Sequence, residues 1–99
     1  MRIRTHPGEV LREEFVEPLG LNANKLALAL RVPSNRINSI MKEERGVSPD
    51  TAMRLARFFG TSAEFWVNLQ SAYDLSKTQV EQAETIEREV EEYPEARYA

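Results

Sequence analysis

The stretch NANKLALALRVPSNRINSIMK, residues 22–42, decides the fold. Asn22 can cap a helix, because its side-chain oxygen accepts from first-turn amides, and residues 23–30 are rich in the helix formers Ala and Leu. Arg31-Val32-Pro33 breaks that helix, and a second is predicted over residues 34–42. Two helices joined by three residues within about twenty have the geometry of a helix-turn-helix unit. The apolar positions agree with it. Leu26 and Leu30 on the first helix, Val32 in the turn, and Ile37 and Ile40 on the second fall where such a unit needs core contacts. Ala27 lies where the two axes approach most closely, and a larger side chain would push them apart.

Outward from this stretch, glycine and proline punctuate the chain at helical intervals and no segment alternates with a period of two, so the fold class is all-α. A first helix is predicted over residues 7–17. Pro7 suits its first position and Glu9 its positive end, Val10, Leu11, Phe15, Val16 and Leu19 form its apolar stripe, and Pro18-Leu19-Gly20 ends it. Gly46 is expected to release the chain after the second helix of the unit, with Met41 joining Ile37 and Ile40 in the core. Ser48-Pro49-Asp50 starts a fourth helix carrying Ala52, Leu55, Ala56 and Phe59, which Gly60 ends. Thr61 and Glu64 read as a capping box opening a fifth helix through Phe65, Leu69, Ala72 and Tyr73, and Ser76 and Gln79 as another opening a sixth. That last helix sets Val80, Ala83, Ile86, Val90 and Tyr93 on a narrow stripe among six glutamates, and such a helix gains stability by docking on something. The expected architecture is therefore a five-helix domain over residues 1–75, with an acidic C-terminal helix and tail over 76–99.

Composition excludes much else. With 99 residues there is room for one core, whose modest size favours self-association. The absence of cysteine removes disulfides, thiolate nucleophiles and zinc-finger ligands and fits a reducing compartment. The longest apolar run, Leu26 to Leu30, is far short of the roughly 20 residues of a membrane span, and no signal-peptide core follows the N-terminal residues. A single histidine with no nucleophile or second histidine beside it argues against catalysis, and His6 reads as a helix-start residue. No cofactor is implied. Adjacent Phe65 and Trp66 read as core or dimer contacts. The net charge of -3 would argue against a nucleic-acid partner, but it is an average: residues 22–60 carry +4, residues 61–99 carry -6 and residues 1–21 carry -1.

Several further stretches accompany the helix pair: His6-Pro7-Gly8-Glu9, Arg36-Ile37-Asn38, Asp50-Thr51-Ala52 with Arg54-Leu55-Ala56, Gly60-Thr61-Ser62, Phe65-Trp66-Val67-Asn68-Leu69-Gln70 and Tyr73-Asp74-Leu75. With them the chain resembles the phage-repressor-type helix-turn-helix family and, within it, the HigA-type antitoxins of bacterial toxin-antitoxin operons. The resemblance runs from about residue 6 to residue 75 and is weaker over the final helix. It implies a five-helix, phage-repressor-like DNA-binding domain that forms a homodimer, binds its own operator DNA and represses its operon. It also implies a toxin partner, a basic messenger-RNA-cleaving protein of the HigB type, and a place in the bacterial cytoplasm at the nucleoid. One departure is Arg31: many members of the wider family have Gly there, and a left-handed arginine costs about 1 kcal/mol.

The face of the second helix of the unit offers Ser34, Asn35, Asn38, Ser39 and Lys42, with Arg36 towards one flank. Asn can bond an adenine edge in a bidentate manner, Arg or Lys guanine, and Ser several bases. Ser34, Asn35 and Asn38 are the expected readers, since the N-terminal end enters the major groove first, while Asn24, Lys25 and Arg45 flank the unit where they can grip phosphates. The bland alternative is a solvated polar face. Three functions are weighed: an antitoxin and repressor, a stand-alone regulator without a toxin, and a protein-interaction module whose DNA face is idle. The cations around residues 34–45 speak against the last. The acidic final helix is a candidate contact for a basic toxin, because opposite charge speeds encounter.

Overall fold

The computed structural model describes residues 2–94; Met1 and the last five positions of the expected tail, 95–99, lie outside the described residues. Helix α1 opens at Pro7–Val10 and widens into a π-helical stretch over Leu11–Val16. It is followed by α2 (Ala23–Leu30), α3 (Ser34–Met41), α4 (Pro49–Phe59) and α5 (Ala63–Glu89). The all-α, five-helix architecture is the expected one. Asn22 caps α2 by accepting from the Lys25 amide, and Ser48 caps α4 by accepting from Thr51, with Pro49 at the first position.

The π-helical stretch in α1 follows from what must be buried. Positions five apart on an α-helix point about 140° apart, whereas i→i+5 bonding brings them toward one side. Here Glu17 bonds back to the Arg12 carbonyl at 3.0 Å, and Leu11 and Val16, five apart, are 0% and 2% exposed. They join Leu26, Ala27, Leu30, Ile37, Ile40, Ala52, Leu55 and Trp66 in a single core. Val32 packs half-buried against that core, as do Phe15, Phe59 and Leu69. Leu19 does not join it and stays exposed, since it lies beyond Pro18 in the turn that Gly20 completes with φ +68°.

Three local expectations are corrected. The cap of α5 is Ser62, which accepts from the Phe65 amide, whereas the Thr61 hydroxyl is taken by the indole Nε1 of Trp66 at 2.8 Å. Burying tryptophan requires a partner for that donor, and Thr61 supplies it. The left-handed residue after α3 is Glu43, φ 62°, rather than Gly46; the Glu43 amide returns to the Ile40 carbonyl at 2.9 Å. The acidic segment is not a separate sixth helix but the continuation of α5. Ser76 is buried, accepts from the Arg4 amide at 2.8 Å and donates to the Tyr73 carbonyl at 3.0 Å, so its hydroxyl is not available to cap a new helix. No Gly or Pro interrupts residues 61–93.

Helix α5 therefore projects from the domain. Its 27 residues span about 40 Å, and the molecule measures 54 × 22 × 22 Å with a radius of gyration of 17.0 Å, against about 13 Å for a compact chain of this length. Val80 and Ile86 on the projecting part are each 48% exposed, so this surface has no partner among the described residues.

Candidate nucleic-acid interface

Periodicity builds the polar face of α3. Ile37 and Ile40 are fully buried, which turns Ser34, Asn35 and Asn38 outward, all exposed. The residue before the helix is Pro33, which has no side-chain acceptor, so the amides of Ser34 and Asn35 are open to an acceptor from outside, while that of Arg36 returns to the Pro33 carbonyl at 3.1 Å. Asn38 donates to the Ser34 carbonyl at 3.2 Å, leaving its own carbonyl oxygen and second amide hydrogen free. Asn35 has no side-chain bond among the described residues.

The beginning of α2 adjoins this face. Asn24 shares one shallow depression with Asn22, Ala23 and Asn38, and another with Leu28, Val32 and Ser34. The structure thus brings Asn24, Ser34 and Asn38 onto one continuous surface, with exposed Leu28 beside them. Lys25 is exposed one residue further along α2. Ser39 is half-buried on the flank of α3. Lys42 lies at the other end of α3, about 12 Å along its axis from Ser34, and Arg45 follows in the loop beyond the left-handed Glu43, both exposed.

Arg36 is engaged inside the molecule. Its Nη1 lies 3.2 Å from Asp50 Oδ2 at the start of α4, and the same oxygen accepts from Arg54 Nε at 3.0 Å. Arg54 also donates through Nη1 to the Leu30 carbonyl at 2.8 Å, at the end of α2. The Arg54 hydrogen bond, followed by attraction from both guanidinium groups, holds the Asp50 carboxyl below its ordinary range. Sequence reasoning passed over Asp50 and Arg54 as site residues. Their i,i+4 spacing, acid before base, was a visible signal. The bond to Leu30 has none, because it joins residues 24 apart.

The turn between α2 and α3 is closed by Arg31 in the left-handed conformation, φ 61° and ψ 44°, with amides from Arg31 and Val32 returning to the last turn of α2. At its other end α3 is held by α1. Arg12 donates to the Met41 carbonyl and lies 3.7 Å from Glu43, and the Gly8 backbone packs against the Ile40 carbonyl. His6 caps α1, accepting from the Gly8 amide at 2.8 Å through Nδ1, and its ring meets Tyr73 edge-on at 4.6 Å. Burial lowers the His6 pKa, opposed by attraction to Glu43 and Asp74. The loop after α3 is tied to α5, since the Val47 amide donates to Gln70 Oε1 at 2.7 Å. A short polar helix is thereby presented outward on a rigid frame. Among the described residues no group of three His, Asp or Glu could hold a metal, and no helix is long and apolar enough to cross a membrane.

The helix-turn-helix family model matches residues 11–66. Virulence-associated protein I of Dichelobacter nodosus is 57% identical over 70 residues, 71% of this chain and 65% of that protein. Antitoxin HigA-1 of Vibrio cholerae is 38% identical over 71 residues, 72% of this chain and 67% of that protein. The chain thus spans about two thirds of the length of these relatives. A solved structure of the Pseudomonas aeruginosa antitoxin HigA with the higBA promoter superposes with a TM-score of 0.86 at 44% identity, covering 93% of this chain and 98% of that one.

Proposed function

The chain belongs to the helix-turn-helix family, to its HigA-type antitoxin branch, a family of DNA-binding regulators and not of enzymes, and from that premise we propose that it is a sequence-specific transcriptional repressor and antitoxin. In this reading it binds operator DNA of its own operon and neutralises a basic, messenger-RNA-cleaving toxin in the bacterial cytoplasm. The observation that carries it is the outward polar face of α3, uncapped at its N-terminus and held at both ends, in a chain that superposes on an antitoxin solved with promoter DNA. Residues 1–75 form the DNA-binding unit. Ser34, Asn35 and Asn38 read bases, Ser39 supports them, and Asn24, Lys25, Lys42 and Arg45 grip the backbone. Arg36 lies on the flank of this face, paired with Asp50.

The protein works as a homodimer, its two reading helices about 34 Å apart on successive major grooves of a palindrome. Exposed Phe58, Phe65, Val80 and Ile86 supply apolar surface for assembly. The acidic end of α5 faces the toxin, by charge.

A gel-shift assay with the DNA upstream of the gene tests the proposal. A specific complex at moderate salt is expected, and equal binding of random DNA would refute it. Asn35→Ala or Asn38→Ala should weaken operator binding by about 1–3 kcal/mol and relax one base position. Wild-type binding by both would remove them as readers. Size measurement alone and with the neighbouring gene's product tests dimer and toxin together.

A further inference from the structure

The Arg36–Asp50–Arg54 network lies at the flank of the reading helix, and none of the roles assigned above uses its carboxylate. The seven cations of residues 22–60 far outnumber the three acids, and any cation free to meet a phosphate strengthens binding to every duplex alike. Asp50 engages two of the seven and cancels one unit of their charge. One oxygen, Oδ2, holds Arg36 at 3.2 Å and Arg54 at 3.0 Å. The same arrangement fixes geometry: Arg36 belongs to α3, Asp50 and Arg54 to α4, and Arg54 reaches the Leu30 carbonyl beside the left-handed Arg31. The carboxylate is therefore the hub of a strut linking the reading helix, the turn before it and the helix behind it.

We propose that Asp50 is a specificity-determining residue: it keeps Arg36 and Arg54 out of indiscriminate phosphate attraction and fixes the angle at which Asn35 and Asn38 meet base edges. This rests on the DNA-reading function proposed above. An acid on the flank of a DNA-binding face weakens binding to every duplex alike, whereas the angle it fixes serves only the duplex whose base edges match, so the ratio of correct to incorrect sites rises through positioning.

The test is fluorescence anisotropy of wild type, Asp50→Asn, Asp50→Glu and the Asp50→Asn/Arg36→Gln double variant, on an operator duplex and a scrambled one, across a salt series. Asp50→Asn should bind the scrambled duplex about tenfold more tightly at low salt, with a log–log salt slope steeper by about one to two. Its operator-to-scrambled affinity ratio should fall about tenfold. The double variant should reverse part of the gain on scrambled DNA, and Asp50→Glu, which keeps the charge, should stay close to wild type. Unchanged scrambled affinity and slope in Asp50→Asn would overturn the proposal. An equal loss on both duplexes would also overturn it, reducing Asp50 to a fold-stabilising residue. A wild type that does not separate the two duplexes would refute the DNA-reading function itself, and this proposal with it.

Discussion

Replacing Gly8 by alanine pits helix propensity against packing, and the structure decides the sign. By propensity alone, alanine in the first turn of α1 should stabilise by about 1 kcal/mol. A Cβ built at Gly8, however, overlaps the Ile40 carbonyl oxygen and comes within 2.9 Å of the carbonyl carbon. That oxygen cannot turn aside, because it accepts from the Glu43 amide at 2.9 Å in the turn that ends α3. Helix α1 must move instead. Overpacking a close contact costs about 1–3 kcal/mol, and the shift also lengthens the Arg12 bond to the Met41 carbonyl, worth about 1–2 kcal/mol. After the propensity gain, a net loss of about 1–4 kcal/mol is expected, and its middle, about 2.5 kcal/mol, lowers Tm by about 10–20 °C in a domain of this size. Thermal melts followed by circular dichroism measure it, with Gly20→Ala as the control. Gly20 has φ +68° and nothing within 4 Å of a Cβ, so its substitution should cost only the left-handed strain, about 1 kcal/mol. If Gly8→Ala melts no lower than Gly20→Ala, the close approach of α1 to α3 is not what holds them together.

Other substitutions test separate links. Arg31→Gly relieves a left-handed non-glycine, φ 61°, and should raise stability by about 1 kcal/mol, or Tm by about 4–8 °C; a lower Tm would show that the arginine side chain contributes more than its backbone costs. For His6, burial holds the folded pKa below the ordinary 6.5, so on acidification the unfolded chain takes up a proton first. Stability linked to this group is complete above pH 6.5 and is lost as pH falls below it. Urea titrations between about pH 7.5 and pH 5 should show that loss in wild type and a flatter profile in His6→Asn, which keeps a capping acceptor without titrating. Equal slopes would remove His6 as the cause. Thr61→Val strands the buried indole N–H of Trp66 and should cost about 1–3 kcal/mol in the same titrations at neutral pH.

Elements set by neighbours in the chain were legible in the sequence. Asn22 and Ser48 cap the helices they precede, the Arg31-Val32-Pro33 break falls where it was expected, and Leu26, Leu30, Ile37 and Ile40 are buried in the helix pair. The outward set of Ser34, Asn35 and Asn38 follows directly, because burying one side of a helix fixes what the other side shows. The capping-box readings at Thr61 and Ser76 failed for one reason. A hydroxyl makes few bonds, and other groups claimed them: the Trp66 indole, which burial obliges to find an acceptor, in one case, the Tyr73 carbonyl and the distant Arg4 amide in the other.

The sequence by itself therefore determined the all-α class, the helix-turn-helix pair, its caps and the chemistry displayed on α3, all of which depend on local propensity and on apolar periodicity. Tertiary structure alone decided that Arg36 shares the Asp50 carboxylate with Arg54, that Gly8 admits the Ile40 carbonyl, and that the acidic segment extends α5 as an arm with no partner among the described residues. Arg36 and Asp50 are 14 residues apart, Gly8 and Ile40 lie on different helices, and Ser76 is taken up by Arg4 from the other end of the chain; spacing in a sequence carries no record of which of such groups will meet.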